Sequence, residues 1–136
     1  MENVDYTSTF ISVAPDTSAV AGVEPVGSTI AAATFSLIAS APYALRSSDV
    51  IFRVWASRHG VSADSPDEWA AFYATPHACL RSSDLGKRYG WGIHADADGR
   101  LAVYAVGSSE YAALADGVAP DGSTVVVRAA MRSSRR

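Results

Sequence analysis

The stretch Tyr89-Gly90-Trp91-Gly92-Ile93-His94-Ala95-Asp96-Ala97-Asp98-Gly99-Arg100-Leu101-Ala102-Val103-Tyr104-Ala105-Val106 decides the fold. Side chains alternate over 89–95 and again over 101–106, the period of a half-buried strand. Asp98-Gly99 between the two runs suits a tight turn that needs positive φ, so the whole reads as a β-hairpin. On its first strand Trp91 and Ile93 share one face and His94 takes the other.

Working outward, Ser65-Pro66-Asp67-Glu68 supplies a capping serine, a proline at the first helical position and the glutamate of a capping box. A helix over 69–75 follows, and Pro76 stops it. Before it, Ser47 or Ser48 caps a helix over 49–58, with Asp49 and Arg58 each at the end of the dipole that favours its charge and Gly60 beyond. Val50, Ile51, Val54 and Trp55 form its buried stripe. Ser28 caps a helix over 29–39, preceded by a Pro- and Gly-containing loop over 15–27 and a β-branched strand over 9–14. Downstream, 108–115 reads as a short helix ended by Asp116-Gly117, and 124–131 as a last strand. This order predicts a single α+β domain over 1–136, with an antiparallel sheet of about four strands and three to four helices mainly on one face. The N-terminal strand is placed beside the hairpin or the last strand.

With 49% hydrophobic and 18% charged residues, the 136-residue chain has the composition of a packed globule. Its net charge of −3 is unevenly spread. Residues 1–80 set three arginines against eight carboxylates, whereas residues 81–136 set eight basic side chains against six acidic ones. A pI near 5.5 excludes a broad nonspecific DNA-binding surface but leaves room for a local anion site. The single Cys79 forms no intramolecular disulfide. The start has no basic segment followed by an apolar one, and no apolar run reaches the roughly 18 residues of a membrane helix, so a cytoplasmic protein without a membrane partner is expected.

Leu-Arg-Ser-Ser-Asp stands at 45–49 and again at 80–84, and Arg-Ser-Ser recurs at 132–134. The flanks of the two longer copies disagree. Val50-Ile51-Phe52-Arg53-Val54-Trp55 follows the first; Leu85-Gly86-Lys87-Arg88-Tyr89-Gly90-Trp91-Gly92 follows the second. Three glycines there cost a helix about 1 kcal/mol each, so the first copy is read as a helix start and the second as part of a loop over 76–88.

Residues 77–94, HACLRSSDLGKRYGWGIH, concentrate the chemistry. Arg81, Lys87 and Arg88 are cationic donors, Ser82 and Ser83 hydroxyl donors, and backbone N–H groups around Gly86 suit a phosphate or carboxylate. Tyr89 and Trp91 offer stacking surfaces, and the glycines admit close approach of a ligand or strand. The spacing is not that of a Walker phosphate loop. The leading reading is a site for an anionic small molecule formed by Arg81, Ser82, Ser83, Lys87, Arg88 and Trp91, joined by Arg132 and Ser133. Acid–base chemistry there would fall to His94, with Tyr89 as a proton relay. A second reading is an interaction module in which the block and the tail Arg132, Arg135 and Arg136 engage RNA or an acidic protein, although no RNA-binding signature is present. A third is thiol chemistry at Cys79, which His77 and Arg81 would activate. The scattered histidines give no metal-ligand spacing, so neither metal nor cofactor is expected. The oligomeric state is left open, a homodimer included.

The start Tyr6-x-x-Thr9-Phe10-Ile11-x-Val13-Ala14, the segment from Pro42-Tyr43 to Asp49-Val50, the block Cys79-Leu80-Arg81-Ser82-Ser83 with Lys87-Arg88-Tyr89-Gly90-Trp91-Gly92-Ile93-His94, and the ending Ala130-Met131-Arg132-Ser133 together resemble a family of small bacterial proteins, domain of unknown function 6157. The resemblance spans nearly the whole chain. It implies that the Arg-Ser-Ser of the central block and the terminal Met-Arg-Ser belong to the family pattern, with Asp84 where that pattern has proline. It implies no activity and no catalytic residue, so what it carries over is a location.

Overall fold

The computed structural model describes residues 1–133; Ser134, Arg135 and Arg136 of the basic tail lie outside the described residues. Strand β1 (Thr9–Ser12) is followed by helices α1 (Ile30–Ala39), α2 (Ser47–His59) and α3 (Pro66–Tyr73). A single 3-10 turn, Leu80–Ser82, leads into the one-turn helix α4 (Asp84–Lys87). The hairpin β2 (Trp91–Ala95) and β3 (Leu101–Ala105), helix α5 (Ser109–Ala115) and strand β4 (Val126–Ala129) complete the chain.

The caps are local chemistry. Ser65 Oγ accepts the Glu68 N–H, and Ser108 Oγ accepts that of Tyr111. At α1 the cap is Thr29 rather than Ser28, with its Oγ1 accepting from Ala32 N–H. Helix α2 begins at Ser47, and the Asp49 carboxylate closes its first turn by accepting the Arg46 N–H at 2.9 Å. The expected loop over 76–88 is instead the 3-10 turn and α4, because Ser83 Oγ accepts the Leu85 N–H at 3.1 Å. Both copies of Leu-Arg-Ser-Ser-Asp therefore lead into helices. Gly86 is tolerated in one that lasts a single turn, and a Cβ there would press within 2.8 Å of the Ala130 Cβ.

The four strands form one sheet in the order β3-β2-β1-β4. β1 pairs antiparallel with β2, placing Phe10 opposite His94, and β2 pairs antiparallel with β3. The sheet is mixed rather than wholly antiparallel, because β4 lies parallel to β1, with Phe10 opposite Val127. Parallel neighbours need a crossover, and α5 supplies it on the way from one edge of the sheet to the other. The N-terminal strand thus sits between the hairpin and the last strand.

Alternation along β1 and β2 splits the core. On one face Ile11, Ile93 and Ala95 pack with Phe35 and Ile38 of α1, Val50 and Val54 of α2 and Leu85 of α4. On the other, Phe10 and Val125 pack with Tyr111 and Leu114 of α5. Gly92 is required there, since a Cβ would run into the ring of Phe10, which meets Tyr111 edge-on at 5.1 Å. Helix α3 contributes no residue to either cluster. Phe72 joins Phe52 and Ala56 of α2 in a separate aromatic cluster, which explains why Phe52 is as buried as Val50, whereas of the expected stripe Ile51 and Trp55 are only partly buried.

Candidate functional site

Between α1, α2 and residues 77–84 lies a groove of about 470 Å³. Ile30, Ala31 and Thr34 come from the start of α1; Ile51, Val54, Trp55, Arg58 and His59 come from α2. Phe72, His77, Cys79, Leu80, Ser82, Ser83 and Asp84 close it. The floor is apolar and the rim polar, the usual build of a small-molecule site.

Two histidines on this lining are held flat on aromatic rings. His77 stacks on Phe72 at 3.7 Å and 8°, and His59 stacks on Trp55 at 4.7 Å and 22°. Each has one ring nitrogen on a backbone carbonyl, His77 Nε2 on that of Phe72 at 2.7 Å and His59 Nδ1 on that of Trp55 at 2.8 Å. A carbonyl only accepts, so those nitrogens carry the proton. The neutral tautomer that this selects has its lone pair on His77 Nδ1 and His59 Nε2. Arg58 Nη1 donates to the Ser28 carbonyl, which leaves the other guanidinium N–H groups for a ligand at the rim. Asp84 is paired with Arg88 at 3.7 Å, both largely exposed.

Of the residues singled out from the sequence, Cys79, Ser82 and Ser83 line the groove. The partner of Cys79 Sγ is the Tyr6 hydroxyl at 3.1 Å, while His77, two residues away, is engaged with Phe72. Burial first, and then the bond to Cys79, raise the Tyr6 hydroxyl above its ordinary pKa, with the Arg81 guanidinium pulling the other way. Arg81 Nε donates to the Ala129 carbonyl at 2.8 Å, and its own carbonyl accepts from Met131 N–H. Ser82 Oγ lies 3.2 Å from Met131 Sδ, so the central block and the end of the chain do meet, in part through backbone. Ser133 N–H donates to the Asp16 carboxylate, and Arg132 lies beside it in the chain on this same exposed segment.

Lys87 ends α4 and Arg88 follows it, neither on the groove lining. Tyr89 and Trp91 are packed against the main core; Trp91 lies 4.7 Å from Phe35 and donates its indole N–H to the Val23 carbonyl. The glycines that looked open to a ligand are closed by the chain itself, Gly90 against Ala21 and Gly92 against Phe10.

His94 is 4% exposed on the α5 face of the sheet, away from the groove. Its Nδ1 lies 2.8 Å from the Tyr43 hydroxyl, which lies 2.7 Å from that of Tyr104. Its Nε2 is buried and has no hydrogen-bond partner among the described residues. An orphaned lone pair is cheaper than an orphaned N–H, so the ring carries its proton on Nδ1 and donates it to Tyr43, which in turn donates to Tyr104. Tyr43 takes a left-handed φ of 57°, fixed by its N–H on the Leu101 carbonyl.

The groove residues that sequence reasoning passed over are Trp55, Arg58 and His59. Their signal is helical spacing: 55, 58 and 59 share a face at the end of α2. Among the described residues, no group of three or more His, Cys, Asp or Glu is placed to hold a metal ion, and no helix is long and apolar enough to cross a membrane. No curated protein and no solved structure matches the chain. The family of unknown function DUF6157 matches over residues 1–136, and the chain belongs to that family.

Proposed function

We propose that this protein binds a small molecule with an apolar body and an anionic group in the groove between α1, α2 and residues 77–84. The observation that carries this reading is the groove itself. Its volume of about 470 Å³ falls within the roughly 300–1,000 Å³ of ligand cavities, and its apolar floor is rimmed by Arg58, His59, His77, Ser82 and Ser83. The apolar body lies over Ala31, Val54 and Phe72. The anion meets Arg58 and the Ser83 hydroxyl, whose oxygen accepts from Leu85 N–H, while Ser82 gives its proton to Met131 Sδ and Asp84 is paired with Arg88. The anionic class is the one expected from the central block, but of its donors Ser83 is the one offered to the groove, together with an arginine from α2.

Titration with dodecanoate and with its neutral primary amide, followed by intrinsic tryptophan fluorescence, to which Trp55 in the groove contributes, tests the reading. Arg58→Ala is expected to weaken the carboxylate about ten-fold and leave the amide unchanged, a difference of about 1.4 kcal/mol. Ala31→Trp, which fills the floor, is expected to abolish both. Unaltered affinity in a folded Ala31→Trp variant overturns the site.

A further inference from the structure

His77 is a wall of two cavities. Besides the groove, it lines a second space of about 250 Å³, whose other walls are Glu2, Asn3 and Val4 of the N-terminal segment and Tyr73, Ala74, Thr75 and Pro76 after α3. That volume is below the range in which cavities hold a ligand of their own, whereas joined to the groove it stays within it. The two spaces differ in charge. The groove carries Arg58, with its one carboxylate, Asp84, paired to Arg88, while the second space has the Glu2 carboxylate and, among the described residues, no basic side chain apart from His77.

The Glu2 carboxylate is fixed in place by the Trp69 indole N–H at 3.2 Å and retains acceptor capacity. Asp5 and Asp49 add to the negative field. Burial first, and then the carboxylates of Asp5, Glu2 and Asp49, push the Tyr73 hydroxyl pKa well up, while that hydroxyl donates to the Ser48 carbonyl at 2.6 Å.

We infer that the two spaces form one cleft partitioned by His77, and that the second receives the ammonium end of a ligand whose apolar chain and anionic end occupy the groove. The ligand class is then an ω-amino acid, with carboxylate and amine at opposite ends of an apolar chain. This rests on the groove reading. The chain passes the edge of the His77 ring, whose stacking on Phe72 and bond to its carbonyl hold the partition still. Glu2 selects for the amine, because a neutral or anionic end placed there leaves its carboxylate without a cationic partner.

The three indole N–H groups report on separate places. Trp55 lines the groove, Trp69 is bonded to Glu2, and Trp91 is bonded to the Val23 carbonyl. In ¹H–¹⁵N spectra, dodecanoate is expected to shift the Trp55 indole signal alone, and ω-aminododecanoate those of both Trp55 and Trp69, with Trp91 as the unmoved control. Glu2→Gln, which keeps an acceptor for Trp69, is expected to weaken ω-aminododecanoate about ten-fold and leave dodecanoate unchanged. If Trp55 responds to both compounds while Trp69 stays still and the amine brings no Glu2-dependent gain, the second subsite is overturned and the groove reading stands. If neither compound moves Trp55, both fall together.

Discussion

Asp5 anchors the start of α2 from 43 positions away. Its carboxylate accepts the Ser48 N–H and the Ser48 hydroxyl, each at 2.8 Å, and the Glu2 N–H at 3.0 Å. Ser48 is 4% exposed, so removing the carboxylate leaves a buried N–H and hydroxyl unpaired. Asp5→Ala is therefore expected to cost about 1–3 kcal/mol in urea unfolding. Asp84, in the other Leu-Arg-Ser-Ser-Asp copy, makes an exposed ion pair with Arg88 at 3.7 Å, and Asp84→Ala is expected to cost no more than about 0.5 kcal/mol. Equal losses in the two variants would refute this ordering. The repeated five letters do not reveal it, because what distinguishes the copies is a carboxylate that reaches the first from a distant part of the chain.

At the scale of elements, the connection between α1 and α2 is pinned to the hairpin. Tyr43 N–H donates to the Leu101 carbonyl, Leu101 N–H donates to the Leu45 carbonyl, and the Tyr43 hydroxyl joins His94 of β2 to Tyr104 of β3. Burial holds the His94 pKa below its ordinary 6.5, against the opposing pull of Asp96 and Asp121. With the folded value below the unfolded one, the unfolded chain takes up the proton first as the pH falls. The His94 contribution is complete above about pH 6.5 and declines as the pH drops toward the folded value, by at most about 1.4 kcal/mol per pH unit. Urea unfolding compared at about pH 7.5 and about pH 5.5 is expected to show this decline and, in a folded His94→Asn variant, a shallower one. Identical slopes would mean that His94 is not held neutral. The alternation that puts His94 on its face was legible in seven residues of sequence. Its partner was not, since Tyr43 is 51 positions away.

For the molecule as a whole, β1 is the strand that both sheet-face cores share. Phe10 and Ile11, adjacent in the chain, face opposite sides of the sheet and join different cores. Leu114 of α5 is fully buried against Phe10, and Leu114→Ala is expected to cost about 2–5 kcal/mol. Trp55, Trp69 and Trp91 all lie on the side of the other core or in the α2–α3 cluster. If the two faces unfold together through β1, fluorescence and far-ultraviolet circular dichroism shift to the same lower midpoint in Leu114→Ala. A fluorescence midpoint that stays put while the dichroism moves would show that the faces unfold separately.

What the sequence determined by itself is local. Ser65 and Ser108 cap their helices, Gly60 ends α2 at a φ of 66°, Gly99 turns the hairpin at a φ of 85°, and period-two alternation assigns the faces of β2. Each of these rests on steric and hydrogen-bonding preferences expressed within a few residues. Tertiary structure alone decided that β4 runs parallel to β1, that α5 crosses the second face, and that Arg81 spends its Nε–H on the Ala129 carbonyl, 48 positions later. It also formed the groove, by bringing Arg58 and His59 of α2 to the same space as Ser82 and Ser83. A side chain's chemistry is readable from its type, but its partner depends on which distant segments pack beside it. That is why the 77–94 block shows which donor types it carries, while which of them face the groove depends on the packing of α1 and α2 against it.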